Sequence, residues 1–272
     1  MSDSKSEGLG SIPSTPANSR GFKMALAIID GDVLLYMSIW GMESKEEARE
    51  KFDEIFTNVT ESVFATDYVM ALGGPNNFRV DLYPEYKANR KKSKSTRPDW
   101  FLDLKSDIVK DYEGASLSDN CEADDMIRIW ANEAFDAGKH RVIITVDKDL
   151  DCVAGLHYNP RKSIFYTVSD EEANRFYWKQ ILMGDPVDNI PGIPGIGVKK
   201  AEKILENMPC YEIAVCKAYE NHYGEEGYNY LLLNARLIHI WRKINDHFKL
   251  SKERYDKAIK FGTRTLDVPL QA

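Results

Sequence analysis

The placement of acidic residues constrains this chain more than any other feature. Asp30; Glu122, Asp124 and Asp125; Asp147 and Asp149; and Asp185 and Asp188 fall at intervals, each group following or punctuating an apolar segment instead of lying in a solvated charge run. Residues 24–29 are a short apolar run ending at Asp30-Gly31-Asp32, and residues 141–146 a β-branched run ending at Asp147. Both predict buried strands. A further strand is expected over 68–72, ahead of Gly73-Gly74-Pro75. Helical patterns lie between them. Ser44 and Glu47 predict a capping box before Ala48, Phe52, Ile55, Phe56, Val59 and Val63 at helical spacing. Pro98 opens an amphipathic helix carrying Trp100, Leu104, Ile108 and Tyr112, and another helix begins near Glu122 and stops at Gly138. Strands alternating with helices predict an α/β fold, a mainly parallel central sheet with helices on both faces.

In such sheets ligands sit beyond the carboxyl ends of the strands. Asp30 and Asp147 follow strands, and Glu122 and Asp125 share one helix face at i,i+3 spacing near its N-terminus. The topology therefore gathers eight carboxylates into one cleft. Like charges at ~4 Å repel by about 4 kcal/mol at an effective dielectric near 20. Hard divalent cations with oxygen ligands are the usual remedy, and Mg²⁺ is the usual cation when phosphates are the substrate. The pattern points to metal-dependent phosphodiester chemistry. The formal charge of −7 does not exclude a nucleic-acid partner, because these eight carboxylates outweigh it and local patches matter more than net charge.

Two further segments fit a polyanionic partner. Residues 87–97 hold Lys87, Arg90, Lys91, Lys92, Lys94 and Arg97 with no acid among them, and Tyr86 beside them could stack on a base. Taken alone, such a run is most often a solvated linker. Gly195, Ile196 and Gly197 form a Gly/Pro-rich loop just before a helix that starts near Val198, and Lys199, Lys200 and Lys203 follow. The exposed N–H groups of that helix start suit a phosphate, which predicts sequence-independent duplex binding through a helix–hairpin–helix. The bland alternative is a structural loop between two helices.

Residues 1–22, rich in Ser, Gly and Pro, are expected to be a disordered tail; residues 23–175 an α/β core with a basic segment over 83–113; and residues 176–272 a helical region. The aromatic residues at 176–178 and 228–241 recur at near-helical spacing and are expected in the core, and His239 and His247 receive no functional role. The four cysteines form no C-x-x-C pair and predict reduced thiols. No apolar run approaches a membrane span, and the N-terminus lacks an apolar signal core. A soluble cytoplasmic protein, without membrane contact, is expected.

Together these segments resemble the 5′-nuclease family: flap endonucleases, phage 5′→3′ exonucleases and the 5′-nuclease domain of bacterial DNA polymerase I. The residues carrying the match are Ile-Ile-Asp-Gly at 28–31, Tyr-Pro-Glu-Tyr-Lys-Ala-Asn-Arg at 83–90, Glu-Ala-Asp-Asp at 122–125, Thr-Val-Asp-Lys-Asp-Leu-Asp at 145–151, Met-Gly-Asp-Pro-Val-Asp-Asn at 183–189 and Ile-Pro-Gly-Ile-Gly at 193–197. The resemblance spans roughly residues 24–207. It implies a PIN-like fold and a two-metal 5′-nuclease using Mg²⁺, with Mn²⁺ able to substitute. Asp30, Glu122, Asp124 and Asp147 would surround one ion, with Asp149, Asp185 and Asp188 nearer the second. Lys87 and Arg90 would stand at the base of a helical arch and contact the scissile phosphate, while the hairpin would hold downstream duplex, commonly with K⁺. The implied partner is DNA with a 5′ flap or 5′ end, or an RNA–DNA hybrid, met by a monomer. The compact size most resembles a phage enzyme, which would place it in host cytoplasm.

One departure is Gly73-Gly74-Pro75, where many family members carry an Asp after the second strand. Two rival readings are a PIN-type ribonuclease, disfavoured by the helix–hairpin–helix and the 83–97 segment, and a catalytically weak DNA-structure binder.

Overall fold

The computed structural model describes residues 25–92, 97–208 and 210–261. The 1–22 segment and Lys94 lie outside the described residues, as do the side chains of Lys91 and Lys92. Strand β1 (Ala25–Asp30) runs straight into helix α1 (Gly31–Ile39), with the Asp30 side chain capping the helix by accepting from Val33 N at 3.2 Å. Helix α2 (Lys45–Ser62) starts at Ser44, whose Oγ accepts from Glu47 N at 3.1 Å; the Glu47 carboxylate reaches back to Glu43 N instead of to the cap residue. Strand β2 (Ala65–Leu72) follows, then the short α3 (Phe78–Leu82), a 3₁₀ turn at Ala88–Lys92, α4 (Phe101–Asp111), β3 (Ala115–Leu117) and α5 (Ala123–Asp136). Strand β4 (Arg141–Ile144), a 3₁₀ turn at Asp149–Cys152, β5 (Gly155–Asn159) and β6 (Ile164–Val168) complete the sheet.

The six strands lie in the order β3-β2-β1-β4-β5-β6, parallel throughout except for β6, which pairs antiparallel with β5. The mainly parallel sheet expected from sequence is present. Strands β3, β5 and β6 were not expected; β3 is only three residues long, and the other two form a hairpin of mixed polarity. Alternate residues of β1 enter separate cores, as the two-residue period of a strand requires. Ala27 and Ile29 pack with Leu34, Phe52 and Leu104 from α1, α2 and α4. Ile28 packs on the other face with Ile127 and Ala131 of α5.

That second core continues without a break into the C-terminal helices: α6 (Asp170–Met183), α7 (Val198–Glu206), α8 (Tyr211–Tyr223), α9 (Gly227–Ile238) and α10 (Lys252–Lys260). Ile181, Leu205, Tyr219, Leu231 and Tyr255 are buried in the same cluster as Ile28 and Ile143. Truncating one of these large side chains costs about 2–5 kcal/mol. The sheet and the helical region therefore share packing, and the start of α6 at Asp170 precedes the boundary expected at 176. Tyr177, Trp178 and Trp241 are buried as expected, whereas Tyr230 is exposed. His239 is buried beside Asp246 at 3.2 Å.

Strand order reverses direction between β1 and β4. Such a switch point leaves a crevice at the carboxyl ends of the two strands, and Asp30 and Asp147 stand there. Among the described residues no helix is long and apolar enough to cross a membrane.

Candidate metal centre and nucleic-acid interface

A cleft of about 910 Å³ opens at this switch point, lined by Asp30, Glu122, Asp124, Asp147, Asp149 and Asp188. Asp185 lies behind it, around a small adjoining cavity shared with Asp149 and Asp188. Carboxylate oxygens of Asp149, Asp185 and Asp188 lie within 4.8 Å of one another.

Each acid is held by local chemistry. Asp30 ends β1 almost fully buried, and its Oδ2 accepts from the Thr145 hydroxyl at 2.8 Å. The Thr145 Oγ1 in turn accepts from Asp147 N at 2.9 Å, and Asp147 Oδ1 from Asp149 N at 2.9 Å. Gln180 of α6 donates to Asp149 Oδ1 at 2.7 Å. Asp185 Oδ1 accepts from Val187 N at 2.7 Å inside the loop after α6. That loop is pinched shut where Gly184 and Gly192 meet, both at positive φ; a Cβ on either would fall 2.2 Å from backbone of the other side. Only glycine fits such a contact.

The electrostatics are those of a site short of positive charge. Burial, with Asp32 and Asp147 nearby, pushes the Asp30 carboxyl up to about 7 despite its Thr145 hydrogen bond. Burial followed by the charges of Asp30, Asp147 and Glu122 holds Asp124 well above the carboxylate range. Burial and the neighbouring Asp147 and Asp185 push Asp149 up to about 7. Glu122 goes the other way: burial would raise it, but Arg79 and Lys87 together hold it below its ordinary value. An all-oxygen set of crowded carboxylates fits hard divalent cations, which would stabilise their ionised forms.

Two expected site residues are placed elsewhere. Asp125 does not face the cleft: it is fully buried, its two oxygens accept from the Arg79 guanidinium at 2.6 and 2.9 Å, and they also take the N–H groups of Glu122 and Trp241. Both of its oxygens are committed to these donors. Tyr86 is also buried; its hydroxyl reaches Glu122 at 3.0 Å and Asp188 at 3.2 Å, so its ring cannot stack on a base. It braces two acids from below.

Lys87 and Arg90 do reach the cleft. The Lys87 ammonium pairs with Glu122 and lies 3.4 Å from Asp188, and Arg90 pairs with Asp188. Lys87 adopts a φ of 55°, unusual for a non-glycine residue, with its N–H donating to Asp188 O at 2.9 Å. Asn89 donates to Pro186 O at 2.8 Å and Asn189 to Glu85 O at 2.7 Å, stitching the basic segment to the loop of Asp185 and Asp188. Arg97 stands at the cleft mouth over the rings of Tyr36 and Phe101.

The hairpin between α6 and α7 presents exposed Gly195 and Gly197, half-buried Ile196, and exposed Lys199, Lys200 and Lys203. Lys200 Nζ closes the turn on Gly195 O at 2.8 Å. Sequence reasoning left out Asp32, Thr145, Arg79, Gln180 and Lys105. Asp32 was visible in Asp-Gly-Asp; its carboxylate accepts from Lys105 Nζ and from Gly73 N, both at 2.8 Å.

The chain matches the model of the 5′-3′ exonuclease N-terminal resolvase-like domain over residues 25–174. It belongs to the 5′-3′ exonuclease family. It is 30% identical over 226 residues to DNA polymerase I of Mycobacterium tuberculosis, covering 70% of this chain and 24% of that protein. The chain thus spans about a quarter of the length of that relative. A 5′-3′ exonuclease of Buchnera aphidicola is 26% identical over 209 residues, covering 68% of this chain and 71% of that one. The fold is shared with the D15 protein of bacteriophage T5, at 19% identity over 87% of this chain and 97% of that one. Its structure co-crystallised with metal ions superposes with a TM-score of 0.65. A second, described as a flap endonuclease with DNA and metal ions, gives 0.62.

Proposed function

We propose that this chain is a divalent-metal-dependent 5′-nuclease that hydrolyses phosphodiesters near the 5′ end of DNA, at flaps or ends, with RNA–DNA hybrids as a second substrate. The observation that supports it most is the crowding of Asp30, Asp124 and Asp149, whose desolvated, mutually repelling carboxyls are held above the ordinary carboxylate range. Family membership narrows the chemistry to nucleic-acid hydrolysis.

In this reading Asp30, Glu122, Asp124 and Asp147 hold one Mg²⁺, and Asp149, Asp185 and Asp188 the other, with Mn²⁺ able to replace either. Bound there, such ions would activate water and stabilise the leaving oxygen of the phosphodiester. The protein's own groups do the rest. Lys87, drawn close to Glu122 and Asp188, has three N–H donors and can turn one to a phosphate oxygen, and Arg90 supports it. Tyr86 fixes Glu122 and Asp188 relative to each other. Arg97, with Lys91, Lys92 and Lys94, gathers the single strand, while Gly195, Ile196, Gly197, Lys199, Lys200 and Lys203 grip duplex by its phosphates, with K⁺ at the hairpin backbone. The protein acts as a monomer in the cytoplasm.

A 5′-labelled flap, a nicked duplex and an RNA–DNA hybrid, each with Mg²⁺ and with EDTA, test the reading. Short products that require Mg²⁺ are expected from the flap. Full activity in excess EDTA rejects the metal assignment, and tight binding without cleavage leaves a DNA-structure binder.

A further inference from the structure

A second cavity, about 620 Å³ in volume, opens at the far end of the sheet from the carboxylate cleft, where β4 and β5 begin and β6 ends. Arg128 of α5, Arg141 at the first residue of β4 and Arg242 beyond α9 line it. Arg49, Arg79, Arg90, Arg175 and Arg254 each hold a carboxylate within 4.0 Å, whereas among the described residues these three hold none. Asp170, which also lines the cavity, and Asp136 lie toward Arg141, and Asp246, which accepts from Arg242 N at 3.3 Å, lies toward both Arg128 and Arg242; among the described residues no carboxylate is within ion-pair reach of the three guanidinium groups. The protein satisfies only part of their hydrogen-bonding capacity. Arg128 donates from one nitrogen to Ile240 O at 3.2 Å and to the Cys152 sulfur at 3.7 Å. Arg141 donates to Ala154 O at 3.2 Å, and its Nε is buried with no partner.

Arg128 and Arg141 are half-buried and Arg242 is exposed. A guanidinium drawn partly out of water without a close counter-charge is costly, and a charged acceptor with several oxygens relieves it. We propose that this cavity binds a phosphate dianion, carried by free phosphate or by the 5′-phosphate of a mononucleotide, between the guanidinium groups of Arg128, Arg141 and Arg242. Its volume falls within the range of small-molecule sites, roughly 300–1,000 Å³. Phe135, two-thirds exposed at the rim, carries the Arg141 guanidinium over its ring at 5.2 Å from the centre. The site is separate from the cleft and does not rest on the function proposed for it.

Calorimetric titration of the whole chain in EDTA, at fixed ionic strength, tests this with inorganic phosphate, dAMP and deoxyadenosine. Phosphate and dAMP are expected to bind and deoxyadenosine not to. Tighter binding of dAMP than of phosphate assigns the nucleotide; equal binding assigns phosphate itself. Arg242→Ala, at an exposed position, and Arg128→Gln should each weaken binding by about tenfold, while Lys87→Ala in the cleft should leave it unchanged. No heat with either anion overturns the proposal. So does an affinity untouched by Arg242→Ala, which decides alone should Arg128→Gln not fold, or one abolished by Lys87→Ala.

Discussion

The guanidinium of Arg79 grips the carboxylate of Asp125 through two hydrogen bonds of 2.6 and 2.9 Å, with neither side chain open to water. Arg79 also donates to Leu237 O and His239 O, so one side chain ties α3, the start of α5 and the end of α9 together. Removing one partner of a buried pair leaves an uncompensated charge, which costs about 3–5 kcal/mol. Asp125→Ala should therefore lower stability by that order in urea unfolding. An unchanged unfolding midpoint would place the stability of this junction elsewhere.

Asp147 is exposed and Asp149 only partly buried, so their removal should spare the fold. Asp147→Ala and Asp149→Ala are expected to cut Mg²⁺-dependent cleavage by orders of magnitude with melting temperatures near wild type. A variant that cleaves normally is not an ion ligand.

Lys87→Ala should lower the single-turnover rate by about 10²–10³, the usual value of a preorganised charge at a transition state. Its effect on DNA affinity should be smaller. An unchanged rate with a raised Kd assigns Lys87 to positioning alone.

The buried acids make metal-free stability depend on pH. Asp30 and Asp149 have folded-state values near 7, above an unfolded value of 3.8. Between these limits the folded state binds more protons than the unfolded one, so stability falls as pH rises through 7. The melting temperature in EDTA should drop between about pH 4 and 7 and level off above that. Saturating Mg²⁺ should flatten that slope, because it favours the ionised carboxylates. A pH-independent melting temperature in EDTA would show that these carboxyls are not perturbed.

Gly74 tests whether a missing acid weakens the ion site. Its φ is not in the left-handed region, so backbone conformation is not the obstacle to a side chain. A Cβ there would sit 1.8 Å from the backbone oxygen of Ser118, whose hydroxyl also accepts from Gly74 N at 2.8 Å. Gly74→Asp should lower the melting temperature without reducing the Mg²⁺ required. A lower half-maximal Mg²⁺ concentration would restore the ligand reading.

The positions of Asp30 and Asp147 were legible because a buried strand announces itself by apolar run and length, and its carboxyl end opens on the crevice: Asp30 closes β1 and Asp147 lies three residues past β4. The buried placement of Asp125 was not legible for a physical reason: spacing put it on a helix face, but its partner Arg79 lies 46 residues away and carries no local signature. Tyr86 looked like an exposed aromatic beside lysines, yet the contacts of Lys87, Asn89 and Glu85 with 186–189 pull it inside. Strands β5 and β6 alternate weakly; β6 is the edge strand and β5 its neighbour, and their half-exposed residues blur the two-residue period.

The pinch between Gly184 and Gly192 leaves no slack between Asp185 and Asp188 on one side and the lysine-bearing hairpin on the other. Anything anchored on the hairpin would be held at a set offset from those carboxylates, fixed by backbone against backbone. In the proposed reading, the spacing between a bound duplex and the bond cut is then a gauge built into the main chain, indifferent to base sequence.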